Sequence, residues 1–253
     1  ATGFIAMATK KTPLLVAHRG YPSRYPENTL LGIQAAVAAG SEWFEFDVQL
    51  SKDHVPYLCH DASLKRTAGL DSLITDLSAA ELANVDVGEQ VRFGARYAGT
   101  RPTKLSELIA WLKTQAHVHA FVEIKQESID RFGLEAVVSA VLQAVKPALS
   151  QCVIISFNSE SLERARSLGA GPVGWALKDT SPASAARAAE FKPEYLFASD
   201  RKFAAAHAAL PGDWRWVVYQ TQDPAHAIRL TERGAYMVET NAIGDMLPAL
   251  GIK

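Results

Sequence analysis

Short apolar runs alternate with longer segments of helical spacing along most of the chain. The runs cover residues 14–17, 43–48, 121–125, 153–157, 173–177, 195–198, 216–219 and 236–239. Continuous apolar runs of this length are typical of strands that are covered on both faces. We therefore predict eight strands separated by helices.

Residues that begin and end helices mark the segments between these runs. We predict Asn28 as the N-cap of the first helix and Gly40 as its end. Ser159 is expected to cap a helix ending at Gly169, and Ser181 precedes a proline at the first position of another. Further helices are predicted over residues 134–145 and 224–234.

Alternating strands and helices indicate a parallel sheet with right-handed crossovers. Eight such units in 253 residues fit a closed (β/α)8 TIM barrel, which typically runs to roughly 250 residues. A dinucleotide-binding sheet is disfavoured because His18-Arg19-Gly20, and not a glycine-rich fingerprint, follows the first strand. The predicted class is α/β, with a single barrel domain over residues 13–253.

One strand-like stretch breaks the alternation. Residues 55–61 begin only four residues after Leu50, which is too close for a parallel crossover, so we predict an antiparallel hairpin. Pairing Leu50 with Val55 would place His60 opposite Glu45. A slip of one residue would turn His60 to the other face.

The segment after this hairpin shows no strand–helix unit. We predict that residues 62–104 form a small insertion over the top of the barrel, with a loop over residues 87–99. Phe93 and Tyr97 within it are candidates for an aromatic cage around a choline group.

Composition narrows the function classes. With 48% hydrophobic and 21% charged residues and a net charge of −1, the chain is neither disordered nor a basic nucleic-acid binder. No apolar run approaches the roughly 20 residues of a membrane span. Two distant cysteines form no disulfide framework, so we expect a cytoplasmic protein unless a signal peptide was removed. Residues 1–12 are interpreted as an N-terminal extension or cloning remnant.

Polar residues gather where the predicted strands end, which is where TIM barrels carry their active sites. These residues are His18, Arg19, Glu45, Asp47, His60, Glu123 and Lys125. Three converging carboxylates repel one another, and a divalent cation removes that repulsion. Oxygen ligands favour Mg²⁺, Ca²⁺ or Mn²⁺ over zinc. The alternative is a structural ion pair of Glu45 with Lys125, with Asp47 capping a turn.

The order of motifs resembles the glycerophosphodiester phosphodiesterase family, within the phosphatidylinositol phospholipase C-like TIM-barrel superfamily. The matching stretches are AHRG, PENT, EFDVQLSKD, HD and EIK, followed by Ser156-Phe157 as the SF motif. The resemblance implies metal-dependent hydrolysis of glycerophosphodiesters to sn-glycerol 3-phosphate and an alcohol. Expected substrates include glycerophosphocholine and glycerophosphoethanolamine, handled by a monomer or homodimer.

The resemblance also implies a role for each matching residue. Glu45, Asp47 and Glu123 match the metal ligands, and His18 and His60 match the catalytic acid–base pair. Arg19 and Lys125 match the residues that would contact the phosphate. Phe157, within the SF motif, and Tyr219, which can still supply an aromatic wall beside the glycerol, are weaker candidates for substrate binding. The family order makes His18 the acid and His60 the base. The nucleophile is either water or the glycerol 2-hydroxyl.

Two stretches depart from the family pattern. The Trp-Thr-Val-Asn run is replaced by Tyr219-Gln220-Thr221-Gln222, and the final Thr-Asp by Thr240-Asn241. We expect these changes to affect substrate fit and not the chemistry.

Two other functions compete with the diesterase. A lyase or phospholipase acting on intact lipid would need an apolar rim or amphipathic helix, which the sequence lacks. A non-catalytic sensor would be expected to lose one of the two histidines. Glu27 is a further candidate metal ligand, although it more often marks a helix start.

Overall fold

Nine strands form one sheet in the computed structural model, which describes residues 12–252. The strands are β1 (Leu14–His18), β2 (Trp43–Leu50), β3 (Pro56–Leu58), β4 (His119–Ile124), β5 (Cys152–Ser156), β6 (Val173–Ala176), β7 (Tyr195–Ser199), β8 (Arg215–Tyr219) and β9 (Met237–Thr240). All pairings except that of β3 with β2 are parallel, and β1 pairs with both β2 and β9. Eight strands therefore close into the predicted (β/α)8 barrel.

Helices alternate with the barrel strands. They are α1 (Leu30–Ala38), α2 (Lys65–Ala68), α3 (Ala79–Leu82), α4 (Gln90–Phe93), α5 (Leu105–Leu112), α6 (Gln126–Phe132), α7 (Leu134–Val145), α8 (Ser159–Ser167), α9 (Pro182–Phe191), α10 (Asp200–Ala209), α11 (Pro224–Glu232) and α12 (Ile243–Ala249). Of these, α2, α3 and α4 lie instead in the segment after β3. Within residues 12–252, none of the helices has the length and apolar character needed to cross a membrane. Apart from Thr12, the predicted N-terminal extension lies outside the described residues.

Alternation along each strand divides the core into two parts. Val16, Phe121, Ile155, Phe197 and Met237 point inward and form an apolar plug inside the barrel. The residues of β2 that point outward pack against the surrounding helices. Because neighbouring residues of a strand face opposite sides, the inward set predicts which polar residues reach the cavity where the strands end.

Two predicted helix caps are wrong by one residue. Thr29, and not Asn28, caps α1 by accepting a hydrogen bond from Gly32 N at 3.0 Å. Asn28 adopts a left-handed φ of 52° and turns its side chain toward β2. Asn158, and not Ser159, caps α8. The predicted helix start with Pro182 at its first position is confirmed, and Ser181 caps this helix, α9.

The hairpin is antiparallel as predicted, but its register is shifted by one residue. Leu50 pairs with Pro56, because Val55 is part of the turn and its carbonyl accepts a hydrogen bond from Ser51 N. The argument that His60 lies directly opposite Glu45 is therefore wrong. β3 ends at Leu58, so the chain leaves the sheet before His60 and the slip does not turn this histidine away.

Residues 62–104 contain α2, α3 and α4 over a small core of their own, which includes Leu64 and Leu82. The stretch 87–99 is not a plain loop, since it holds α4 and a 3-10 turn. The Glu89 carboxylate accepts a hydrogen bond from Glu27 N at 2.9 Å. The segment is thereby attached to the loop that follows β1.

Candidate active site

A cavity opens where the inward-facing side chains become polar. It is lined by His18, Arg19, Glu45, His60, Glu123, Lys125, Phe157, Tyr219 and Glu239, with Ile155, Ala176 and Phe197 completing the wall. The predicted residues thus converge, although they come from separate strands and loops. Asp47 is buried beside this cavity, 3.3 Å from Lys125 Nζ.

Glu45, Asp47 and Glu123 fit a divalent cation. One ligand oxygen from each lies within 4.8 Å of the others, and Glu45 Oε1 is buried with no hydrogen-bond partner in the described chain. Burial, with Asp47 and Glu239 nearby, raises the pKa of Glu45 well above its usual range. Burial and Asp47 raise the pKa of Glu123 to about 7. A bound cation would favour the charged form of these groups.

Asp47 is the best compensated of the three carboxylates. Arg19 Nε lies 3.1 Å from it and Lys125 Nζ lies 3.3 Å from it. Burial alone would raise the pKa of Asp47, but these two cations lower it to about 2. Lys125 also donates to Glu123 at 2.9 Å. The alternative pairing of Lys125 with Glu45 is therefore wrong, because this lysine contacts the other two acids.

His18 is held through its Nδ1 atom, which lies 2.8 Å from Asn241 Oδ1. Since this oxygen only accepts hydrogen bonds, Nδ1 carries the proton and Nε2 presents a lone pair. Burial and Arg19 lower the pKa of His18 to about 4. Asn241 therefore contacts a proposed catalytic side chain. The departure from the family pattern at Asn241 thus touches His18 as well as a second cavity along the rim of the barrel.

His60 has a different partner. Its Nδ1 atom lies 2.6 Å from Asp61 Oδ1, and Asp61 in turn accepts from Arg66 Nε at 2.7 Å. The side chain of His60 is 32% exposed, against 13% for His18. One histidine is thus buried beside a neutral amide, and the other is half-buried beside a carboxylate.

Arg19 contacts both the buried acidic residues and Glu27. Its backbone nitrogen donates to Glu45 at 3.3 Å, and its Nη1 atom donates to Glu27 at 3.2 Å. Glu27 also accepts two hydrogen bonds from Arg66 at 2.8 Å. Glu27 is therefore neutralised by two guanidinium groups, and it belongs to neither group of metal-ligating atoms among residues 12–252.

Sequence reasoning missed Glu239 at the end of β9. Its side chain is 3% exposed, its Oε2 atom lies 4.0 Å from His18 Nε2, and burial with Glu123 raises its pKa to about 8. The alternation rule could have found it, because Glu239 shares the inward parity of Met237.

A second, polar cavity adjoins the first along His18 and Arg19. It is lined by Pro22, Ser23, Glu27, Arg66, Arg92, Gln220, Gln222 and Asn241 as well. The candidate choline cage is absent from both linings. Phe93 and Tyr97 pack against each other, and Arg92 and Arg96 lie over their ring faces at 4.6 and 5.2 Å.

The fold and the rim define a (β/α)8-barrel protein with an acidic, cation-compatible pocket at the carboxyl ends of its strands. The profile of the glycerophosphoryl diester phosphodiesterase family matches residues 18–242, and the chain belongs to this family.

Individual relatives agree with this assignment. A glycerophosphodiester phosphodiesterase of Caldanaerobacter subterraneus is 30% identical over 59% of this chain and 60% of its own length. The chain thus spans about three fifths of that curated relative. An Oleispira antarctica phosphodiesterase, solved with the product sn-glycerol-3-phosphate, is 25% identical, with a TM-score of 0.81 over 95% of this chain and 97% of the other. The glycerophosphodiester phosphodiesterase of Thermotoga maritima shares the fold at 23% identity, with a TM-score of 0.74 over 95% and 100% of the two chains.

Proposed function

We propose that this protein hydrolyses glycerophosphodiesters to sn-glycerol 3-phosphate and an alcohol with the help of a divalent cation. The observation that carries the proposal is the convergence of two histidines, an arginine, a lysine and the acidic group on one cavity. A structural cluster of buried ion pairs would not need two histidines facing the same space. The product complex of the Oleispira relative supports the glycerol phosphate part of the substrate.

Glu45, Asp47 and Glu123 would hold the cation. When bound, it would supply Lewis-acid stabilisation of negative charge on the phosphoryl oxygens. Mg²⁺, Ca²⁺ and Mn²⁺ all accept such an oxygen-rich ligand set.

Arg19 and Lys125 are the proposed phosphate contacts. Both side chains line the cavity, Lys125 from the position directly after β4 and Arg19 from the loop after β1. An Arg fork can bind two phosphate oxygens, whereas a Lys ammonium acts as a point charge. Tyr219 and Phe157 provide the wall on which the carbon skeleton of glycerol would rest.

His18 and His60 are the proposed proton carriers. One accepts the proton of the nucleophile as the new P–O bond forms, and the other donates a proton to the departing alkoxide oxygen. The nucleophile is water or the glycerol 2-hydroxyl, and in the second case a cyclic phosphate is opened by water afterwards. Each transfer typically contributes about 10²–10⁴-fold in rate.

Two assignments of acid and base compete. Resemblance to the family makes His18 the acid and His60 the base. The surroundings of His18 favour the reverse, because burial and Arg19 lower its pKa to about 4 and keep its ring neutral, with the Nε2 lone pair available to accept a proton. Substrates whose leaving group needs little protonation distinguish the two assignments.

The deciding experiment is a product assay. Purified protein is incubated with glycerophosphocholine, glycerophosphoethanolamine or glycerophosphoglycerol, and sn-glycerol 3-phosphate is measured with EDTA and with added Mg²⁺, Ca²⁺ or Mn²⁺. We expect product only with a cation. A lipid-specific lyase or phospholipase would instead act on phospholipid vesicles, and a sensor would bind the diesters without turnover.

A further inference from the structure

A second group of metal-ligating atoms adjoins the first. His18 Nε2 and one oxygen each of Glu45 and Glu239 lie within 4.8 Å of one another. We propose that they form a second divalent-cation position, which shares Glu45 with the position bounded by Asp47 and Glu123. This inference builds on the proposed function, in which the first position holds the catalytic cation.

The two carboxylates of this second group lack the compensation that their neighbours have. Glu45 Oε1 and Glu239 Oε1 are buried without a hydrogen-bond partner in residues 12–252, and each residue is 2% exposed. Asp47, by contrast, lies within 3.3 Å of both Arg19 and Lys125. A buried ionised carboxylate is costly unless it is paired or bound to a metal. The available side-chain cations therefore leave Glu45 and Glu239 as the acids that still need a counter-ion.

His18 is oriented as a metal-ligating histidine. Its Nδ1–H is donated to Asn241 Oδ1, so the lone pair of Nε2 points toward the two carboxylates. Ligating histidines in proteins usually donate their other ring N–H to an acceptor in this way, which fixes the tautomer.

The spacing of these atoms suits a cation rather than direct hydrogen bonds. His18 Nε2 lies 3.8 Å from Glu45 Oε2 and 4.0 Å from Glu239 Oε2, both longer than a hydrogen bond. An ion about 2.3–2.6 Å from its ligands, as is usual for Ca²⁺, can contact atoms that are this far apart.

Occupancy of the second position has a chemical consequence. A cation bound to Nε2 takes the electron pair with which His18 accepts a proton, and it excludes the proton that the same atom would donate. Proton transfer at His18 and occupancy of this position therefore exclude each other. Because two cations sharing Glu45 also repel, the second binds more weakly than the first.

Direct metal binding tests the proposal without an activity readout. Metal-free protein is titrated with Mn²⁺, and free Mn²⁺ is followed by electron paramagnetic resonance. We expect two classes of site per chain, of which Glu239→Gln loses the weaker, its dissociation constant rising more than about 100-fold, beyond the range for losing an outer-shell partner. Glu232→Gln, the same charge change at an exposed position of α11, should keep both classes.

Further variants separate the two positions. Glu123→Gln should weaken the tighter class, and His18→Ala should remove the weaker one. A single class in the wild type, or two unchanged classes in Glu239→Gln, overturns the second position while leaving the first in place. If no Mn²⁺ binds to the wild type, both this inference and the metal part of the proposed function are wrong.

Turnover provides an independent check on the role of His18. Hydrolysis by the wild type should rise and then fall as Mn²⁺ increases, whereas hydrolysis by Glu239→Gln should rise and stay level. An equal decline in Glu239→Gln and wild type would contradict competition at His18.

Discussion

Asn28 holds Asp47 from two directions. Its Nδ2 atom donates to Asp47 Oδ2 at 2.9 Å, and its Oδ1 atom accepts from the Asp47 backbone nitrogen at 3.1 Å. Both residues are buried, and Asn28 adopts a left-handed φ of 52° in this arrangement. Asn28, which was predicted to cap α1, therefore orients Asp47, a proposed metal ligand.

Loss of the two hydrogen bonds between Asn28 and Asp47 should weaken metal binding. Glycine tolerates the backbone of position 28, so Asn28→Gly removes the side chain without adding strain. We expect the dissociation constant for Mn²⁺, measured by calorimetry, to rise about 10–100-fold, as for other outer-shell partners. Lys192→Gly, at an exposed position with a φ of 50°, is the matched control. Equal affinities in both variants would show that Asp47 needs no such support.

Hydrolysis should depend on the carboxylate of Glu123. Glu123→Gln keeps the shape of the side chain but removes the negative charge that attracts a cation. We expect activity at limiting Mg²⁺ to fall sharply and to recover in part at high Mg²⁺, with activity of exposed-site Glu160→Gln unchanged. Full activity in exhaustively chelated wild-type enzyme would refute the metal assignment.

The two histidines should respond differently to the leaving group. On natural diesters, His18→Ala and His60→Ala should each lower kcat by about 10²–10⁴-fold, while exposed-site His117→Ala changes little. Because a p-nitrophenolate leaving group needs little protonation, the variant that lacks the acid should regain most of its kcat/KM on a p-nitrophenyl diester.

Rescue of His18→Ala would support the order found in the family. Rescue of His60→Ala would support the reverse order, favoured by the surroundings of His18. Equal defects on both substrates would mean that neither histidine protonates the leaving group in the rate-limiting step. The double variant should lose less than the product of the single losses, since the pair acts as a unit.

The metal-free protein should lose stability as the pH rises from about 4.5 to 8. Burial, with nearby carboxylates, raises the pKa of Glu239 from 4.5 to about 8, so the folded state binds more protons than the unfolded state in this window. A group of this kind lowers the free energy of unfolding by up to about 1.4 kcal/mol per pH unit. Glu239→Gln should flatten the slope in urea titrations with EDTA. An unchanged slope would assign the pH dependence to other groups.

Much of the site was visible in the sequence. The inward parity of Glu45, Asp47 and Glu123, together with the rule that barrel sites lie at the carboxyl ends of strands, was enough to bring them together. The roles of Tyr219 and Phe157 remain predictions, although both side chains line the cavity. The hairpin register could not be predicted from the sequence, because a polar turn from Ser51 to His54 admits more than one pairing.

Local spacing determined the order of strands and helices, because alternation and capping depend on residues a few positions apart. Closure of the barrel decided the rest. Pairing of β1 with β9 brings His18 against Asn241, which is 223 residues away, and against Glu239. No local pattern encodes such a contact, since it exists only when the first and last strands of the sheet meet. The charge around His18, and with it the chemistry open to this histidine, is therefore a property of the closed barrel.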